Sequence, residues 1–438
     1  MLEQKITKKE TFFIGLMLFA LFFGAGNLIF PPFLGQEAGT NYWTAIFGFV
    51  ITGVGLPVLG IVAIALSGSS IESIAKKVSA PFAITFTFVL YLAIGPFFGI
   101  PRAMNVSYEM SVMPFIPSQA LDISLFIYSV VFFIVVFWLS LNPSKLVKRI
   151  GNIITPILLI AIVLLVAGSA LTGNITGGEA PSDAYSDHAL IGGILEGYLT
   201  MDAIAALAFG LVIVSTLQAR GIEDKNSILR TTAMSGIVAG IGLAFVYVSI
   251  GWLGMQLGPL ETFATGSEIL SFAANETYGL IGMLLLGVIV TLACLTTCVG
   301  LVTACGQYFK KNFPSMRYQT LALITTIVSF AVANLGLNTI ISISVPVLVA
   351  IYPIAITLVF LTLTESLIPL RKSHYRGGVI GAALISIYDG MREMGIDIQL
   401  LNEIYSYLPL FEVGLGWIWL AIIGVILGFL IGKVSPDK

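Results

Sequence analysis

Charge is what this sequence has least of. Only 10% of its 438 residues are Asp, Glu, Lys or Arg, against 57% that are hydrophobic, and the mean hydropathy is +1.00. Soluble chains carry about a quarter charged residues, so this balance excludes a soluble protein and leaves one that crosses a membrane many times. Histidine is nearly absent: His188 and His374 both lie between apolar runs. Three cysteines occur, Cys294, Cys298 and Cys305, at spacings of four and seven. They share one stripe of a helix. They have no His or carboxylate neighbours for a metal, and a disulfide within one helix is geometrically poor, so they read as small packing residues. No G-x-x-x-x-G-K-[ST] or H-E-x-x-H segment is present, which excludes P-loop ATP hydrolysis and that zinc-protease motif. No potassium-filter sequence appears. An intramembrane enzyme needs a nucleophile or paired acids within mutual reach at membrane depth. No such set is found, so no enzyme activity, catalytic residue or cofactor is expected, and no nucleic-acid partner.

What is there is apolar length. A spanning helix needs about 20 apolar residues. Twelve stretches qualify: 11–34, 42–67, 80–101, 121–141, 150–172, 190–217, 231–257, 278–308, 318–334, 339–364, 376–391 and 412–432. The first is too long for a signal peptide and reads as a retained span. The basic residues support this count. With the N-terminus inside, Lys5, Lys8, Lys9, Lys76, Lys77, Lys145, Lys148, Arg149, Arg220, Lys225, Arg230, Lys310, Lys311, Arg317, Arg371, Lys372, Arg376, Lys433 and Lys438 all fall on the inner side. Only Arg102 and Arg392 fall outside. Both termini are therefore expected in the cytoplasm. Outer loops are acidic instead, with Glu179, Asp183 and Asp187 in one and Glu261, Glu268 and Glu276 in another. No soluble domain is appended, so the chain is one transmembrane domain, 1–438.

The segment Phe23-Gly24-Ala25-Gly26-Asn27-Leu28-Ile29-Phe30-Pro31-Pro32 interrupts the first apolar run. Prolines lack a donor and bias the residues before them away from helical angles. The glycines, the asparagine and the double proline together predict a break near mid-bilayer. Backbone exposed at that depth is tolerated only where it is buried in protein or lines a polar cavity, so a broken first helix points to a binding site and to a transporter. A kink used only for packing is the plainer alternative. A break leaves one half-helix end with free carbonyls and another with free N–H groups. That pair of ends suits an amino-acid zwitterion, and the carbonyls can also strip water from a sodium ion. The sixth span has a polar, glycine-bearing entry, Glu196-Gly197-Tyr198-Leu199-Thr200-Met201-Asp202, followed by Ala206-Leu207-Ala208-Phe209-Gly210. Breaks five spans apart predict a five-plus-five inverted repeat: repeat one at about 11–172, repeat two at about 190–364, and two accessory helices at about 376–432.

Other features have paired readings. Span 8 carries Thr291, Thr296, Thr297 and Thr303. Membrane threonines commonly bond back to their own helix, yet the adjacent pair Thr296-Thr297 would suit a hard cation and is a candidate sodium site. Asp202 is an acid within a span and so a functional candidate. It could bind a cation, relay a proton or pair with Arg102 as an outer gate; alternatively it lies in the headgroup region, with Arg102 an interfacial anchor for span 3. That span is expected to end in the Gly95-Pro96…Pro101-Arg102 run. Asp389 and Glu109 are expected at helix ends near water. Gly424, Gly428 and Gly432 recur every four residues on span 12, and Gly236 and Gly240 do so on span 7, for close packing within the chain or for a dimer seam. Monomer and homo-oligomer both stay open.

The runs FFGAGNLIFPPFLGQEAG (22–39), TAIFGFVITGVGLPVL (44–59), GYLTMDAIAALAFGLVIV (197–214) and ISISVPVLVAIYP (341–353) closely resemble bacterial branched-chain amino acid carriers, the sodium-coupled LIVCS family. The resemblance covers essentially the whole chain. It implies the leucine-transporter-type five-plus-five fold and a location in the bacterial plasma membrane. Against the neurotransmitter symporters of that superfamily, Gly24, Gly26 and Asn27 match, but the gap before Phe30-Pro31 is one residue shorter. Carried over, the resemblance implies that Gly24, Ala25, Gly26 and Asn27 meet the charged ends of the substrate, with Phe209 and Gly210 facing it from span 6. The carbonyls of Ala20 and Phe23 would share a sodium ion with Thr296 and Thr297. Leucine, isoleucine and valine would be the substrates, in a pocket expected to be apolar and free of charged side chains. The residues themselves leave sodium and proton coupling open, and a channel remains the rival from another class.

Overall fold

A computed structural model describes residues 7–68, 70–141, 143–171, 177–219, 221–222 and 224–434. Lys5, Arg220, Lys438 and residue 172 lie outside them, and the side chains of Lys145, Lys148, Arg149 and Lys433 are likewise not described. Among the described residues every regular element is helical. The first apolar run is two helices, α1 (Lys8–Phe22) and α2 (Ala25–Ala38). Next come α3 (Tyr42–Val50), a π-type turn at Ile51–Gly55, α4 (Leu56–Ser67) and the short α5 (Ile71–Ala75). Helix α6 (Ala80–Leu92) passes through a second π-type turn at Ala93–Phe97 into α7 (Gly99–Ser111). Then follow α8 (Leu121–Ser140), α9 (Pro143–Leu171), α10 (Asp183–Ser186), α11 (Ala189–Tyr198) and α12 (Asp202–Ala219). The second half contains α13 (Lys225–Leu257), α14 (Gly266–Asn312, kinked at Gly279), α15 (Tyr318–Ala333), α16 (Leu337–Glu365), α17 (Lys372–Glu393), α18 (Gln399–Tyr405) and α19 (Trp417–Val434).

Six helical stretches of the described residues are long and apolar enough to cross a membrane; the bent pair α11–α12 makes a seventh, and shorter apolar helices cover Thr155–Leu171, Tyr318–Ala333 and Trp417–Gly432. Their outer surfaces are greasy. On α8, Ile123, Phe126, Ile127, Val131, Ile134 and Trp138 all face outward. So large an exposed apolar surface belongs against lipid rather than water.

Glycine sets how closely the helices approach. A Cβ on Gly254 of α13 would lie 1.9 Å from the Pro32 carbonyl oxygen, and one on Gly35 of α2 would lie 1.9 Å from that of Gly251, so α2 and α13 touch backbone to backbone. The glycine stripe on α19 packs the same way against α17: Cβ atoms on Gly424 and Gly428 would meet the carbonyls of Gly377 and Ser373 at 2.1 and 2.3 Å. Packing within the chain therefore accounts for that stripe. Cys298 and Cys305 face the Ile100 and Tyr91 carbonyls from α14, as small buried residues.

Three expectations change. Pro31 and Pro32 do not make the first break; both lie inside α2, and the chain leaves helical geometry earlier, at Phe23 and Gly24. Span 3 does not end at Arg102: the π-type turn absorbs Pro96, and Pro101 sits in the first turn of α7, where a missing N–H is tolerated. Arg102 is thus a buried residue of α7, 3% exposed, and not an interfacial anchor. Asp389, expected near water, is buried in α17 beside Arg392.

Candidate functional site

Both breaks open on one cavity. At the first, Phe23 (φ −68°, ψ 95°) and Gly24 (φ −129°, ψ −157°) run extended between α1 and α2. Space, rather than φ, calls for glycine here: a Cβ on Gly24 would lie 3.1 Å from Cγ2 of Thr297. The Gly24 N–H donates to Asn27 Oδ1 at 2.9 Å, so the asparagine caps its own helix. Its Nδ2 donates to Asp202 Oδ2 and meets the Tyr247 hydroxyl, which itself donates to Asp202 Oδ2 at 2.8 Å. All three side chains are buried. This network ties the starts of α2 and α12 to the middle of α13. Asp202 is the first residue of α12, where the helix dipole favours an anion.

At the second break the chain bends by 43° between α11 and α12. Met201 adopts φ +67°, a left-handed conformation that costs a residue other than glycine on the order of 1 kcal/mol. Such strain marks a position held by its surroundings. The carbonyls of Leu199 and Thr200 face Arg102, whose Nη1 and Nη2 donate to them at 2.7 and 3.2 Å. The guanidinium lies over the Phe30 ring, 5.2 Å from its centroid. Arg102 therefore holds the linker between α11 and α12, while Asp202 is taken up by Asn27 and Tyr247.

The cavity itself is about 30 Å³, room for about one water. Its lining combines Gly24, Ala25, Gly26, Asn27, Thr200, Asp202, Arg102 and Thr297 with the apolar residues Leu21, Phe22, Ile94, Ala103, Ala205, Phe209 and Leu301. The N–H groups of Ala25, Gly26 and Asn27 have no partner within α2, because they belong to its first turn. Backbone donors, backbone acceptors and apolar side chains thus converge in the combination a small zwitterion with an aliphatic side chain requires, in a space that must widen before it admits one. An expectation fails in part here: the lining is not free of charge, since Arg102 and Asp202 both belong to it, each held by protein partners.

The remaining expected residues fall as follows. Thr297 Oγ1 donates to the Phe23 carbonyl at 3.0 Å, across the break. Thr296 Oγ1 bonds back to the Ala293 carbonyl at 2.7 Å, and Ala20 is half-buried in α1, one turn before the break. Phe209 lines the cavity and packs edge-to-face on Phe22 with centroids 5.9 Å apart. Gly210 does not face the cavity: a Cβ there would lie 2.8 Å from Cβ of Ile64, so its lack of a side chain lets α12 pack on α4. Reading the sequence missed Tyr247, Met201, Phe30 and the carbonyls of Leu199 and Thr200. A lone hydroxyl within Phe245-Val246-Tyr247-Val248 was the available signal for Tyr247; none existed for Met201, whose role is conformational.

Solved structures share this architecture. MhsT in complex with L-phenylalanine aligns with a TM-score of 0.59 at 14% identity, covering 98% of this chain and 99% of that one. Mhp1 in its inward-facing conformation aligns with a TM-score of 0.60 at 14% identity, covering 96% and 91%. What is shared is the fold, with two broken helices facing one cavity. At the level of sequence, the profile described as "Branched-chain amino acid transport protein" matches residues 7–435, and the chain belongs to that family. It is 44% identical over 436 residues to the branched-chain amino acid permease BrnQ of Bacillus subtilis, covering 98% of both chains. It is 42% identical over 443 residues to the permease BraB of the same organism, covering 100% of this chain and 99% of that one. This is a family of transporters, not of enzymes.

Proposed function

We propose that this chain is a sodium-coupled symporter that carries leucine, isoleucine and valine into the cell by alternating access. The observation that carries the reading is the pair of half-helix ends facing one small cavity with an apolar wall. The substrate carboxylate docks on the N–H groups at the start of α2, its ammonium on carbonyls at the end of α11, and its side chain against Phe22, Phe209 and Leu301. A pocket of this kind separates aliphatic side chains by only ~1–3 kcal/mol per methylene, so the three amino acids share one site. The names of the B. subtilis permeases agree with these substrates.

Sodium binds beside the substrate, between the carbonyls of Ala20 and Phe23 and the hydroxyls of Thr296 and Thr297. The hydrogen bond from Thr297 to Phe23 supports this, because it brings a hard hydroxyl oxygen to a carbonyl freed by the break. A sodium ion entering down ~100 mV and a tenfold gradient releases ~3.7 kcal/mol, enough for accumulation of a few hundredfold. Twelve crossings in two inverted five-helix repeats, with α17 and α19 accessory and both termini cytoplasmic in a bacterial plasma membrane, complete the reading. The meeting of Lys76 and Lys311 on Glu72, and of Lys77 on Glu365, supports one common inner face for the basic loops.

Uptake of labelled leucine into proteoliposomes, with each cation varied in turn, tests the proposal. Leucine accumulates only with an inward sodium gradient, and isoleucine and valine compete for the same carrier. Undiminished uptake in sodium-free buffer at constant pH gradient refutes sodium coupling. It would favour the second reading, proton coupling through Asp202, which the burial of that acid at the α12 break recommends. Asp202→Asn then abolishes uptake driven by a pH gradient.

A further inference from the structure

Arg102 stands where the ammonium of an amino acid would bind. Its Nη1 and Nη2 donate to the carbonyls of Leu199 and Thr200 at 2.7 and 3.2 Å. Those are the acceptors that a half-helix end offers to a cation. The side chain is 3% exposed and lines the cavity, yet its Nε has no hydrogen-bond partner among the described residues. A buried donor without an acceptor is unfavourable, so Nε marks a place for an acceptor that the chain does not supply. The start of α2 is immediately adjacent: a Cβ on Gly26 would lie 3.0 Å from Nη2 of Arg102. A carboxylate docked on the free N–H groups of α2 therefore also lies beside the guanidinium, which can receive it through charge-assisted hydrogen bonds.

We propose that Arg102 is a tethered internal cation occupying the two carbonyls that the substrate ammonium takes, and that only a ligand bearing a carboxylate draws it off. In this way it makes the site select amino acids over the corresponding amines. The incoming carboxylate pairs with the guanidinium and turns it away from Leu199 and Thr200. The ammonium then takes the exposed carbonyls. An amine brings a like charge to an occupied position and has nothing with which to move Arg102. This rests on the reading that the cavity takes an amino acid. Gly26 belongs to the same device, since a Cβ there would crowd Nη2 of Arg102 and the Thr200 backbone alike, each at 3.0 Å.

Titration calorimetry on the full-length protein at saturating sodium tests it, with L-leucine and 3-methylbutylamine (leucine without its carboxylate) as probes. The wild type binds leucine at least ~100-fold more tightly than the amine, because both carboxylate contacts and access are lost together. In Arg102→Gln the gap shrinks by at least ~10-fold, since the amine gains free carbonyls while leucine loses its cationic partner. An unchanged gap, or a folded variant that binds neither ligand, overturns the proposal, as does a wild type that binds the amine as tightly as leucine. Should Arg102→Gln not purify folded, Arg102→Lys carries the test: one ammonium covers one carbonyl in place of two, and the gap narrows by at least ~3-fold. A wild type that binds no leucine refutes the amino-acid reading itself, whereas leucine binding with an unchanged gap removes only the role of Arg102.

Discussion

Thr297→Val is the sharpest perturbation of the first break. Valine keeps the branched shape of threonine and a methyl group where Cγ2 lies 3.1 Å from the Cβ position of Gly24. What it removes is one oxygen, the hydroxyl 3.0 Å from the Phe23 carbonyl. Without an ion, the variant loses one buried neutral hydrogen bond at a carbonyl that α1 no longer satisfies, ~1 kcal/mol of fold stability. With sodium, it loses a ligand oxygen facing a full charge, for which ~1.5–3 kcal/mol is the corresponding scale. The half-saturating sodium concentration for leucine uptake in proteoliposomes should therefore rise at least ~10-fold. Leucine recognition at saturating sodium should move no more than ~3-fold, because the hydroxyl belongs to the ion and not to the zwitterion. Thr297→Ser restores the oxygen and with it the sodium dependence of the wild type. Thermal unfolding in sodium-free buffer separates the structural loss from the ionic one. Equal half-saturation in the valine variant and the wild type refutes Thr297 as an ion ligand, and so does a serine variant as impaired as the valine one.

Gly254→Ala forces a methyl group against the Pro32 carbonyl, 1.9 Å from its oxygen. Overpacking of this kind costs ~1–3 kcal/mol or more, seen as a lowered melting temperature of the purified protein in detergent; an unchanged melting temperature would disprove the backbone contact of α2 and α13. Gly424→Val should likewise loosen α19 from α17 and lower thermal stability without changing the oligomeric state, measured by light scattering, because the stripe packs within the chain. Glu72 accepts from Lys311 at 2.7 Å and pairs with Lys76 at 2.6 Å, and these partners, Lys311 first, hold its carboxyl below the ordinary value. A depressed folded pKa gives stability that is present above the unfolded value of ~4.3 and lost as pH falls through the folded one. Glu72→Gln should thus lower stability by up to ~1 kcal/mol at pH 7, partly exposed lysines limiting the gain, and the deficit should vanish at acid pH; a deficit independent of pH rules the ion pairs out as its cause.

Composition alone carried the membrane class, and glycine-asparagine chemistry carried the first break to within its own segment. What the prolines do was misjudged. Pro31 and Pro32 read locally as breakers, yet α2 runs through both, with their carbonyls packed against Gly251 and Gly254 of α13. That contact is tertiary, between residues more than two hundred positions apart, and no local propensity encodes it. Arg102 was misplaced for the same kind of reason: the run from Gly95 to Pro101 looks like the end of a helix, whereas a π-type turn carries the axis onward and sinks the guanidinium. The Asn27–Asp202–Tyr247 network joins three helices, and only Asn27 and Asp202 stood out in sequence, as polar residues where apolar ones were expected.

The two breaks are built differently, and so are their moorings. At the first break an extended glycine suffices. At the second a methionine is held in a left-handed conformation against its own preference, which requires the flanking halves to be fixed by other contacts. They are: α11 is locked to α3, where Cβ atoms on Gly48 and Gly193 would lie 2.1 and 1.9 Å from the carbonyls of Leu190 and Ala45, and α12 is seated on α4 through Gly210. Helix α2 is held by α13 and by the start of α14, where a Cβ on Gly266 would lie 1.9 Å from the Ile29 carbonyl. Both halves of the first break thus pack on α13, α1 through Gly15 against Val238 and α2 through Gly35 and Gly254, whereas α11 and α12 pack on α3 and α4; the linkers themselves are held by Thr297 on the Phe23 carbonyl and by Arg102 on those of Leu199 and Thr200. Under the carrier function proposed above, torsion at Phe23–Gly24 and Leu199–Met201 reorients the halves only if these contacts yield, so loosening Thr297 or Arg102 is where an alternating carrier would begin to move.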